Sequence, residues 1–160
     1  MLTHTRAAAA ARRAPPKPPL QPSEHGGGLL EQIGDVGDEH ILVVGNDGAG
    51  LMCALLRAGA LEVTHLNSHA RAEPDSASLA IIPHIQSLDW LASALPSIRR
   101  ALLPNGCLVV CAETEVDAVT RNRIRRMLVQ HGYCGIRTSL ADDCLVVSAE
   151  VPAFGLHKAA

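Results

Sequence analysis

The chain has 160 residues, of which 48 % are hydrophobic and only 2 % aromatic, and its net charge at pH 7 is -2. That length favours one domain with an aliphatic core, and no apolar run approaches the roughly 18 residues that cross a bilayer, which argues against an integral membrane protein. Charge is uneven: residues 1–23 hold Arg6, Arg12, Arg13 and Lys17 and no acid, whereas residues 24–160 hold 10 bases and 16 acids, an acidic body poorly suited to a phosphate backbone.

Residues 1–28, MLTHTRAAAAARRAPPKPPLQPSEHGGG, offer almost nothing to bury and read as a disordered tail. The domain is expected over residues 29–160. The tail has no apolar stretch of the kind a secretory signal needs. Its acid-free, Arg-bearing composition leaves a cleaved organellar transit segment as the alternative to a cytoplasmic location. The five cysteines (Cys53, Cys107, Cys111, Cys134, Cys144) form no C-x-x-C pair, and the odd count suits a reducing compartment. Cys107 and Cys111 would face the same side of one strand, without the histidine spacing of a metal site; no metal is expected.

From Leu29 onward short apolar runs alternate with helical patterns. Strands are predicted at Ile41–Val44, Glu62–Leu66, Leu79–Ile82, Cys107–Cys111 and Cys144–Ala149, with a weaker one at Ile136–Leu140. Leu88, Leu91, Leu95, Ile98 and Leu102 make an amphipathic stripe with Ser87 as its N-cap. Pro96 should break or restart that helix, because it lacks the backbone donor and crowds the preceding turn. Thr114-Glu115-Val116-Asp117 reads as a capping box before a second helix, which Gly132 ends. Asp117 could pair with Arg121 one turn on, and Arg121, Arg123, Arg125 and Arg126 read as a solvated face. Alternating strands and helices predict parallel βαβ units. Only Ala141-Asp142-Asp143 separates the last two strands, so these should form an antiparallel hairpin.

Two stretches carry a family resemblance. The first is 79-LAIIPHIQSLDWLASALPSIRRALLPNGCLVVCA-112, with its basic pair before LLPNG. The second is 127-MLVQHGYCGIRTSLADDCLVVSAE-150, with HGY before the hairpin. Over roughly residues 40–150 the chain resembles the class I S-adenosylmethionine-dependent methyltransferases. The resemblance implies a Rossmann-like α/β sandwich with a mostly parallel sheet and a terminal antiparallel hairpin. It also implies S-adenosylmethionine as cofactor and a small-molecule methyl acceptor.

The sequence departs from that pattern in three places. The family turn after the first strand is typically acidic-x-G-x-G-x-G, and the matching positions here are Gly45, Asp47 and Ala49, with Gly48 and Gly50 out of register. Where the family closes its second strand with an Asp or Glu for the ribose hydroxyls, this chain has Asn67, which accepts but brings no charge. Only Ser68 to Ser78 lie between the second strand and the next clear one, too few for a helix–strand–helix passage. The family's third strand is therefore expected to be missing, leaving Glu62–Leu66 as a sheet edge.

The resemblance places Gly45, Asp47, Gly48, Gly50 and Asn67 on the cofactor side. His84, just past a strand tip, is the one candidate catalytic group, as a base or an orienting imidazole; its plainer reading is a solvated loop histidine. His65 and His69 read as plain residues too. Trp90 reads as core or pocket wall, and with Tyr133 and Phe154 it completes an aromatic set too small for base stacking, so nucleic acid is not expected. Two readings follow: a small methyltransferase, or a catalytically silent binding module whose exposed edge pairs with a protein partner or a second copy. A nicotinamide-type oxidoreductase is weaker, because Asn67 and the terminal hairpin both argue against it.

Overall fold

The computed structural model describes residues 27–46, 48–67, 71–141 and 144–153. The expected tail up to residue 26, Asp47, His69, Phe154 and the hairpin turn at Asp142 and Asp143 lie outside these residues. The described chain runs α1 (Gly27–Ile33), β1 (His40–Val44), α2 (Ala49–Arg57), β2 (Glu62–Leu66), β3 (Ala77–Ile82), α3 (Leu88–Ala101), β4 (Leu102–Glu113), α4 (Ala118–Gln130), β5 (Cys134–Ala141) and β6 (Cys144–Glu150). One six-stranded sheet has the order β2-β1-β3-β4-β6-β5.

β1, β2, β3 and β4 pair in parallel. β6 runs antiparallel to both β4 and β5, so it alone is reversed. The predicted hairpin and the predicted edge at β2 are both present. Among the described residues β2 pairs with β1 only, and none between Leu66 and Ala77 forms another strand.

Period-two alternation divides each central strand between two cores. Leu42, Val44, Ala80, Ile82, Leu108 and Val110 face α3 and α4, where they meet Leu91, Leu95, Ile98, Ile124 and Leu128. Ile41, Val43, Leu79, Ile81 and Val109 face the other way, toward Leu29, Leu51 and Leu55 of α1 and α2. Strands covered on both sides are why their sequences are continuously apolar rather than alternating. Each fully buried leucine, such as Leu91 or Leu95, stabilises the fold by roughly 1.5–3 kcal/mol.

Four local expectations need correcting. Pro96 does not break α3: the helix continues through it, with Leu91, Leu95 and Ile98 buried on one face and Pro96 exposed on the other. Burial of that stripe outweighs the one backbone bond Pro96 removes. α4 begins after Asp117 rather than Thr114, because Asp117 itself is the N-cap and accepts from the Thr120 amide at 2.7 Å. That bond takes up the carboxylate expected to pair with Arg121, and the one acid–base contact within 4 Å among the described residues is His40 Nδ1 with Glu62 at 3.2 Å. Finally, Gly27 and Gly28 open α1 rather than ending the tail. Ser87 caps α3 as expected, accepting from the Trp90 amide at 3.0 Å.

Candidate functional site

The tips of β1, β2 and β3 meet at one end of the sheet. Gly45 follows β1 with φ +134, a conformation that side-chain-bearing residues rarely adopt. Its amide donates to the Leu66 carbonyl at 3.0 Å, which ties the turn to the end of β2. Asn67 comes next and is exposed. Val43 pairs with Ile81, so His84, two residues past β3, stands level with the turn and is also exposed.

Gly48 is the N-cap of α2 and offers no side-chain hydrogen bond. Its carbonyl accepts from Met52 at 2.9 Å, which starts the helix. Gly50 is exposed in the first turn of α2. The structure therefore brings Gly45, Gly48, Gly50 and Asn67 to one strand-to-helix turn, with His84 past the tip of the neighbouring β3. At the tips of β1, β2 and β3 the described residues carry no carboxylate.

His65, which the sequence gave no reason to single out, is the residue that changes the picture. Val43 pairs with His65, so the imidazole projects on the α2 side of the sheet. Its Nε2–H donates to the Gly45 carbonyl at 2.5 Å. A carbonyl only accepts, so this bond requires a proton on Nε2. A Cβ added at Gly48 would lie 2.7 Å from His65 Cδ2, 3.0 Å from His65 Nε2 and 2.9 Å from Val43 Cγ1. The missing side chain at Gly48 is thus space that the protein's own histidine and valine already use. The signal was the strand pairing: with β2 beside β1, alternation alone places His65 on the same face as Val43.

Other groups offer little chemistry. The Cys111 thiol, buried toward the end of β4, is pushed up to about 12 by burial and by the neighbouring Cys144 thiol, which suppresses its thiolate. Burial raises Cys107 as well, helped by Glu150. Trp90, in the first turn of α3, packs against the core, and its indole N–H has no hydrogen-bond partner. A cleft of about 490 Å³ opens along β2, lined by Leu42, Thr64, Leu66, Arg71, Ala72 and Ala77 among others. None of the tip residues lines it.

No family model matches the sequence, and no curated protein matches it. Solved structures do match in shape. An S-adenosylmethionine-dependent methyltransferase from Mesorhizobium loti superposes with a TM-score of 0.57 at 15% identity, covering 75% of this chain and 94% of that one. A Burkholderia thailandensis 1,6-didemethyltoxoflavin-N1-methyltransferase, solved with 1,6-didemethyltoxoflavin and S-adenosylhomocysteine, gives 0.62 at 12% identity over 82% of this chain and 78% of that one. An Aquifex aeolicus methyltransferase of the same dependence gives 0.58 at 10% identity, over 77% and 87%. The fold is that of the class I methyltransferases. Identities this low carry the architecture and not the chemistry.

Proposed function

We propose that this protein is a methyltransferase-fold module that works by binding another molecule rather than by transferring a methyl group. The observation that supports this reading is the His65 ring lying on the glycine turn, bonded to Gly45 and filling the space beside Gly48. With the His65 ring in this position, the space beside Gly48 that a donor would need is taken. Two further features agree. Asn67 brings no charge to the end of β2, and the sheet of described residues ends at β2 with no strand beyond it. The surface offered for a protein partner or a second copy is the outer edge of β2.

Thermal melts and calorimetric titrations with S-adenosylmethionine and S-adenosylhomocysteine test the reading. No shift and no saturable heat are expected at millimolar ligand. A ligand at a hundred times its Kd would add about 2.7 kcal/mol of stability, so a clear rise in Tm for the wild-type chain would overturn it.

A second reading is favoured by one observation, the positive φ that Gly45 keeps at the turn. In that reading the protein is an S-adenosylmethionine-dependent methyltransferase acting on a small-molecule acceptor. The His65 ring leaves the turn, Gly45, Gly48, Gly50 and Asn67 line the donor side, and His84 faces the acceptor. Transfer of radiolabelled methyl from the donor to any acceptor would establish it.

A further inference from the structure

The contacts of His65 resemble those of a ligand more than those of a surface histidine. The residue is more than a third exposed, and the ring lies against the turn. It presents one N–H to the Gly45 carbonyl and lays its Cδ2 edge over Gly48. A ligand with an amino-acid end would ask the turn for the same two things. Its ammonium needs a carbonyl oxygen, and its backbone-sized chain needs the space left by a missing Cβ. Val43 forms the floor of that space on the β1 side.

We propose that His65 is a built-in occupant of the glycine turn, a side chain that shuts out a ligand with an amino-acid end such as the family's donor. This rests on the binding-module reading above and names what keeps the donor out. The ring competes on two counts, taking the acceptor and taking the volume. A large ring at position 65 excludes the ligand, and a small side chain admits it. The exclusion is a property of one side chain on an edge strand.

The experiment is a titration of the wild-type chain, His65→Ala and His65→Gly with S-adenosylhomocysteine, followed by calorimetry. Because His65 is exposed, both variants are expected to fold, and a cooperative melt checks this. His65→Gln, which restores bulk and an N–H donor, serves as the closed control. The expected result is saturable binding by the Ala and Gly variants, at least about tenfold tighter than the wild type or the Gln control. Folded Ala and Gly variants that bind no better than wild type would overturn the proposal and leave the binding-module reading intact. A wild type that binds tightly would overturn that reading instead, while a further tightening in His65→Ala would still uphold the role of His65.

Discussion

Val43 and His65 stand opposite each other on the β1–β2 ladder, and a side chain at Gly48 would strike both. Gly48→Ala is therefore expected to destabilise the fold by roughly 1–3 kcal/mol, the range for forcing a methyl group into a filled space. Urea denaturation of Gly48→Ala, His65→Ala and the double variant separates the two neighbours. Removing the imidazole should recover part of the loss, with the remainder set by Val43 Cγ1. Strict additivity of the two substitutions would mean that the ring does not press on Gly48 in solution.

Gly45 presents a different kind of demand. Nothing lies within 4 Å of a Cβ built there, yet its φ of +134 is one that side chains resist. Gly45→Ala should cost about 1–3 kcal/mol through backbone strain alone, and His65→Ala should not relieve it. A Gly45→Ala melt that matches the wild type would show that the turn relaxes to another conformation.

The strands were readable because both faces of the sheet are covered, so each is an unbroken apolar run between turn residues. Glu62–Leu66 is legible to the residue, and the three-residue gap Ala141-Asp142-Asp143 before Cys144 forces the hairpin. The helix errors have a common cause: local signals were weighed without the packing that overrides them. Pro96 reads as a breaker by itself, yet the apolar stripe that spans it carries α3 through, and Thr114 reads as a cap although Asp117 lies nearer the first buried turn. α1 has Leu29, Leu30 and Ile33 on a single turn or two after glycines, too short a pattern to identify. At the site, the glycine cluster is visible in sequence because glycines are rare elsewhere in the strand-to-helix turns. The use of His65 is not visible, because the face of a strand residue is defined only by its partner strand.

Asp117 gives a pH dependence with a definite sign. Its carboxyl is held below the usual 3.8 by accepting from Thr120, side chain and amide. A folded value below the unfolded one means the carboxylate contributes stability above the unfolded titration, and that contribution is lost as pH falls through the folded value. Asp117→Asn keeps the capping geometry and removes the charge. The stability difference between wild type and this variant should be present at neutral pH and shrink below about pH 4. A difference that stays constant down to pH 2 would show that the charge on the cap is irrelevant.

The cysteines should separate by reactivity. Cys53 and Cys134 are exposed, whereas Cys111 is buried with its thiol pushed up to about 12. At pH 8 a thiol of that kind is ionised to roughly one part in ten thousand. Pulse alkylation read by mass spectrometry should label Cys53 and Cys134 first and Cys111 only after unfolding. Early labelling of Cys111 would mean that the β4–β6 region opens readily.

The last prediction concerns the edge. Among the described residues β2 hydrogen-bonds β1 on one side only, so its outer N–H and C=O groups face away from the sheet. It holds no proline, and a second copy related by a two-fold axis can add its own β2 antiparallel, joining the two sheets. Five residues make a short seam, so the association should be concentration-dependent, with a dimer at high micromolar concentration in sedimentation equilibrium. Thr64→Lys places a charge in the middle of the seam on an exposed position and should return the protein to monomer without changing its melt. A wild-type chain that sediments as a monomer at the same concentration would remove the edge as an interface between copies and leave a different protein as its partner.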